Sequence, residues 1–148
     1  MYYFAYGSNM NQSQMKARCP ESKLIDKGYL KDYKLDFLGY SPRWKGGCAD
    51  IARQYNSKVW GLVYEVSKAD INLLDKIEGN PDFYKRMNKA VFLSDNRSVK
   101  AEMYFLVKKQ GFVPPTKKYI DIILEAGKEF EFPKEYQKYI GTVPFKDM

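Results

Sequence analysis

The chain has 148 residues, 45 % of them apolar, which suits one domain with one hydrophobic core. It contains no histidine, which excludes Ser-His-Asp and Cys-His nucleophilic machinery and removes the commonest neutral metal ligand. The formal net charge is +7; because the basic residues are interleaved with acids, a generally basic solvated surface is expected rather than a nucleic-acid stripe.

Residues 1–5 read as a short buried strand that ends at Tyr6-Gly7-Ser8-Asn9. A short helix is predicted from about Asn11 to Arg18, stopped by Pro20. Residues 23–38 show strand-like alternation, with Tyr33, Leu35 and Phe37 on one face. Gly39 to Gly47, with Pro42, reads as a loop, and residues 48–53 as another short strand. Val59 to Val66 is a stronger strand, with Trp60, Leu62, Tyr64 and Val66 on one face. Ser67-Lys68-Ala69-Asp70 matches a capping box. The helix it opens carries Ile71, Leu74 and Ile77 at core spacing and meets Gly79, a C-cap residue. Residues 84–93 and 99–107 form a hairpin across Ser94-Asp95-Asn96-Arg97. Thr116 caps a helix carrying Tyr119, Ile122, Ile123, Ala126 and Phe130, and the tail from Pro133 holds a short helix and then extended chain. Many strands beside few helices favour an α+β domain with a mostly antiparallel sheet.

No apolar run approaches the roughly 20 residues that cross a bilayer, and the N-terminus lacks the basic start and long apolar stretch of a signal peptide. No membrane association and a cytoplasmic location are therefore expected. Cys19 and Cys48 form no C-x-x-C pair, so no metal site is expected and both read as small buried hydrophobes.

Acid–base chemistry near neutral pH must then come from a tuned carboxylate, Lys, Tyr or Cys. A strand ending in Gly7-Ser8-Asn9 exposes backbone N–H groups that suit a carboxylate or a developing oxyanion. On spacing alone, the same residues read as an ordinary turn. Glu78 falls in the last turn of its helix, at the partially negative end, where a partly buried carboxyl should hold its proton more tightly. On position alone, a solvated helix-end Glu is the simpler account. Trp44-Lys45-Gly46-Gly47 reads equally as a cleft loop with an aromatic lid or as a surface turn.

Together these features resemble the γ-glutamylcyclotransferase-like family. Tyr3-Phe4-Ala5-Tyr6-Gly7-Ser8-Asn9-Met10 is similar to its substrate-binding signature. Lys34-Leu35-Asp36-Phe37, Trp44-x-Gly46-Gly47-x-Ala49, Val59-Trp60-Gly61-Leu62-Val63-Tyr64 and Leu74-Asp75-Lys76-Ile77-Glu78-Gly79 follow in the expected order. Pro114-Pro115-Thr116, Tyr119 and Glu135-Tyr136-Gln137 carry the likeness almost to the end of residues 1–148, which form one domain on this reading. The resemblance implies a mixed, largely antiparallel β-barrel flanked by a few α-helices, with no cofactor. It implies a catalytic Glu78 and substrate contacts from Tyr3, Phe4, Ala5, Tyr6, Gly7, Ser8, Asn9 and Tyr119. The implied partner is a small γ-glutamyl compound, with no specific nucleic acid and room for a homodimer. The implied reaction is attack of the substrate's α-amine on its γ-carbonyl, releasing 5-oxoproline and an amine or amino acid. The alternatives are a γ-glutamylamine cyclotransferase with a different leaving group, a family member that has lost activity and serves as an interaction domain, and a non-catalytic basic module for RNA or protein.

Overall fold

A computed structural model describes residues 1–147. Strand β1 (Tyr2–Ala5) runs through a 3-10 turn (Ser8–Met10) into helix α1 (Gln12–Arg18). Strands β2 (Lys23–Ser41) and β3 (Gly46–Glu65) follow, then helix α2 (Lys68–Glu78) and strands β4 (Tyr84–Leu93) and β5 (Ser98–Leu106). Helices α3 (Lys117–Glu129) and α4 (Lys134–Gly141) complete the order. The strands close into a barrel in the order β1-β3-β2-β4-β5. Its neighbours are antiparallel except β1 on β5, which run parallel with Tyr2 opposite Ala101. This is the expected α+β architecture.

The sheet departs from the sequence reading in β3. Residues 39–47 are mostly strand; the turn between β2 and β3 is confined to residues 42–45. The segments read as two strands, 48–53 and 59–66, belong to one. Between the pairs Lys31–Lys58 and Tyr33–Arg53, only Asp32 stands across from residues 54–57. The four polar residues bulge outward without ending the strand. Asp32 and Asn56, both with φ of 66°, take the left-handed conformation that their side chains tolerate. The Asn56 N–H donates to Asp32 Oδ1 at 3.0 Å, which ties the bulge to β2. The expected face of Trp60 and Tyr64 meets Phe132 and the 3-10 turn. Val59 and Val63 on the opposite face are just as buried, so alternation understates how thoroughly this strand is covered.

The capping box forms as expected: the Asp70 N–H donates to Ser67 Oγ at 3.0 Å and the Ser67 N–H to the Asp70 carboxylate at 3.3 Å. Helix α2 seats Ile71 and Leu74 in the core and stops at Gly79, whose φ of 69° is costly for any residue with a Cβ. Those two signals fix Glu78 as the last helical residue. Thr116 caps α3, accepting the Tyr119 N–H at 3.3 Å. Tyr119, Ile123 and Ala126 are buried as expected, but the buried stripe is turned so that Ile120 joins them and Ile122 is half-exposed.

Phe4, Leu35, Phe37, Leu62 and Met103 are fully buried, each worth about 1.5–3 kcal/mol of transfer free energy. Asp50 is also fully buried, and accepts the Leu106 N–H at 3.1 Å and Lys109 Nζ at 2.6 Å. It pins the chain leaving β5 against β3. Among the described residues, no helix is long and apolar enough to cross a membrane.

Candidate active site

Four elements converge at one end of the barrel: the end of β1, the 3-10 turn, the last residue of α2 and the first turn of α3. Tyr3, Phe4, Tyr6, Gly7, Ser8, Asn9, Glu78 and Tyr119 line a single pocket of about 40 Å³ there. Ala5 alone of the expected contact residues does not line it; it is buried in the wall, paired with Leu62. Ala49, which closes the Trp44 motif, also lines it, and Tyr84 and Tyr104, not singled out from the sequence, complete the lining. The pocket adjoins a cleft of about 360 Å³, with Ser8, Glu78, Tyr84 and Tyr119 common to both. Arg18, Arg43, Trp44 and Phe83 line the outer part.

The turn is held from beneath. Asn9 Nδ2 donates to the Tyr3 hydroxyl at 3.0 Å, while Asn9 Oδ1 accepts from Gln14 Nε2 at 2.9 Å and Arg18 Nη1 at 3.0 Å. Gln14 also reaches Ser8 Oγ at 3.0 Å, and the Tyr64 hydroxyl donates to the Asn9 carbonyl at 3.1 Å. With its side chains committed, the turn presents its backbone. The N–H groups of Gly7, Ser8 and Asn9 find no acceptor among the described residues, as expected for the first turn of a helix. A Cβ on Gly7 would stand 3.0 Å from the Tyr119 hydroxyl and 3.1 Å from Ala49 Cβ, so only glycine lets the turn sit this close to α3.

Glu78 is half-buried, and among the described residues its carboxylate makes no hydrogen bond or ion pair. Burial holds its pKa above the ordinary carboxylate range, with Arg18 and Arg43 acting in the opposite sense. The pocket tyrosines behave differently. Burial raises the pKa values of Tyr3, Tyr6, Tyr84, Tyr104 and Tyr119, keeping all five neutral. Three of them spend their protons inside the protein: Tyr6 on the Tyr104 carbonyl, Tyr84 on the Ala49 carbonyl at 2.7 Å and Tyr104 on Asp75 Oδ1 at 2.7 Å. Tyr3 and Tyr119 are acceptors instead, Tyr119 from the Ala49 N–H at 2.9 Å. Their own protons have no acceptor among the described residues and are available to a ligand.

The pocket therefore offers free backbone donors, two spare hydroxyl donors and one titratable acceptor. Trp44 belongs to the site, packing edge-on against Tyr119 at 5.1 Å between ring centres. Gly46 and Gly47 do not; they open β3, where the Gly47 N–H donates to the Pro114 carbonyl at 2.9 Å. No group of three or more Cys, Asp or Glu side chains placed to hold a metal occurs among the described residues. Arg18 had a signal in the sequence, since Asn11 and Pro20 bracket α1 and put Arg18 in its last turn. Nothing local marked Tyr84, Tyr104 or Arg43, which only closure of the barrel brings together.

The family model described as gamma-glutamyl cyclotransferase, AIG2-like matches residues 3–123. A γ-glutamylcyclotransferase from Bos taurus is 31 % identical over 150 residues, with 98 % of this chain and 79 % of the relative covered. One from Homo sapiens has the same identity and coverage. A solved γ-glutamyl cyclotransferase structure is similar with a TM-score of 0.92 and 29 % identity, over 100 % of this chain and 90 % of that one.

Proposed function

The chain belongs to the gamma-glutamyl cyclotransferase, AIG2-like family and is an enzyme of that type; we propose that it turns a γ-glutamyl compound into 5-oxoproline and a free amine or amino acid, with Glu78 carrying the proton. Ionised Glu78 takes a proton from the substrate's α-ammonium. The freed amine attacks the γ-carbonyl carbon, forming the ring N–C bond and placing negative charge on the carbonyl oxygen. Collapse breaks the bond to the leaving nitrogen, which receives the proton from Glu78, and the ring nitrogen gives up its second proton through the again-ionised Glu78 to the departing amine or to water. The nucleophile is the substrate's own, so no protein Ser, Cys or His is required.

The observation that carries this reading is the carboxylate of Glu78, half-buried and without a protein partner beside unpaired backbone donors. A raised pKa suits a group that must both accept and return a proton near neutral pH. Each preorganised N–H donor from Gly7, Ser8 or Asn9 toward the oxyanion is worth about 3 kcal/mol. Holding the substrate folded back on itself adds rate through proximity. Tyr3 and Tyr119 direct their spare protons to the γ-glutamyl half.

The test is a panel of γ-glutamyl peptides and amines with products identified by mass spectrometry. The expected products are 5-oxoproline and the amine. N-acetylated substrates, whose nucleophile is blocked, and α-linked glutamyl peptides, whose attack would need a three-membered ring, are expected to be inert. Release of free glutamate, or turnover of the acetylated compound, would mean hydrolysis and end the cyclisation reading.

A further inference from the structure

The outer cleft continues past Arg18, Arg43 and Trp44 into a second groove that Lys45, Lys118 and Thr116 also line. Four cations thus border one continuous surface that begins at Glu78. No acidic residue lines the second groove. None of the four cations forms an ion pair among the described residues. Some cations elsewhere are paired: Arg86 holds Asp75 and Glu102, and Lys109 holds Asp50. These four unpaired cations stand together beside the site.

Within the proposed reaction, the γ-glutamyl half occupies the inner pocket, where Glu78 and the free backbone N–H groups of the turn lie. The leaving group must extend outward, and the outer cleft, about 360 Å³, is the space that opens from Glu78. We propose that this cationic wall is a leaving-group subsite, and that the preferred substrates carry two or more negative charges on the leaving group, as in a γ-glutamyl dicarboxylic amino acid or acidic peptide. Arg43 is the central residue: it lies on both the cleft and the groove, and its side chain is exposed and unpaired. Trp44, beside it, gives an apolar floor for the leaving group's carbon chain. Phe83, 39 % exposed, supplies another apolar surface of the cleft. The wall thus discriminates by charge, not by side-chain shape.

This inference rests on the cyclisation reading, and one experiment separates their failures. Rates of 5-oxoproline release are compared for γ-glutamyl-ethylamide, γ-glutamyl-alanine and γ-glutamyl-glutamate. These share the reacting half and carry zero, one and two leaving-group carboxylates. Each added carboxylate is expected to raise kcat/KM by about fivefold, the scale of one exposed charge pair, and the gain is expected to shrink as salt is added. In Arg43→Gln and Lys118→Gln proteins, both altered at exposed positions where folding is not at stake, the ratio of glutamate to ethylamide substrate falls toward one. 5-Oxoproline released at equal rates from all three substrates overturns the subsite alone. So does a ratio that neither substitution changes. No 5-oxoproline from any member overturns both readings.

Discussion

Replacing Glu78 by Gln separates a proton carrier from a structural residue, because the two roles move activity and stability in opposite directions. Gln keeps the shape but cannot take up a proton. General acid–base catalysis contributes about 10²–10⁴-fold, equal to about 3–5 kcal/mol of barrier at 1.36 kcal/mol per decade. The upper end is expected, since on the proposed mechanism the same carboxylate serves both proton transfers and the five pocket tyrosines are held neutral. Stability should instead improve. Burial raises the folded-state pKa of Glu78, so the folded protein binds that proton more tightly than the unfolded chain does. The stabilisation is full below the unfolded pKa and is lost as pH rises through the folded one. At pH 8 wild type carries more of the penalty of a half-buried charge than at pH 4, and Gln carries none of it. The assays are 5-oxoproline release and thermal melts at pH 8 and pH 4. Glu78→Gln is expected to melt higher than wild type at pH 8, with the gap closing at pH 4. Turnover within severalfold of wild type in a folded protein would refute the assignment, and a lower melting temperature at pH 8 would refute the electrostatics.

Tyr119→Phe removes the acceptor of the Ala49 N–H, and leaving that buried donor unpaired should cost about 1–3 kcal/mol in denaturant melts; unchanged stability would mean that water replaces the hydroxyl. Lys109→Ala strips buried Asp50 of its 2.6 Å partner, but Lys109 is 41 % exposed, so about 1–3 kcal/mol is expected rather than the full cost of a buried pair. The Cys19→Ala/Cys48→Ala double variant should remain active, and chelators should leave the rate unchanged. Burial pushes both thiols up to about 11, too high for a ready thiolate; loss of activity on chelation with recovery on adding a metal would overturn this.

The parts of the site legible in the sequence were those that local chemistry fixes. Ser67 and Asp70 bracket the start of α2 and Gly79 its end, so the helix-end position of Glu78 followed from three residues within one short segment. Gly7-Ser8-Asn9 was visible as a turn because its residues have few other uses. The barrel was legible only through the family resemblance, because closure depends on β1 meeting β5 from the far end of the sheet, which periodicity does not encode. The break read between residues 53 and 59 failed for a related reason. Polar residues interrupted the alternation, and whether such a break ends a strand or bulges out of it is decided by the partner strand's Asp32. Arg43 escaped notice because an exposed arginine in a turn has no local signature. Its meaning comes from lying next to a carboxylate thirty-five residues later in the chain.

On the proposed mechanism, that placement couples substrate charge to catalysis. Burial favours the protonated form of Glu78, and Arg18 and Arg43 offset this by favouring the ionised form that accepts the α-ammonium proton. An anionic leaving group seated on Arg43 neutralises part of that offset, so Glu78 becomes a stronger base while the substrate is bound. Departure of the product restores the bare arginine and lowers the carboxylate's proton affinity, which favours its return to the ionised form for the next cycle. The acidic limb of the kcat profile reports this group in the enzyme–substrate complex. That limb should lie at higher pH for γ-glutamyl-glutamate than for γ-glutamyl-ethylamide, because the bound carboxylates raise the pKa of Glu78. In Arg43→Gln the Arg43 share of the offset is already gone, so both limbs should move up and the gap between them should narrow. Limbs that coincide in wild type would show that the leaving group's charge does not reach Glu78, and would confine the cationic wall to binding.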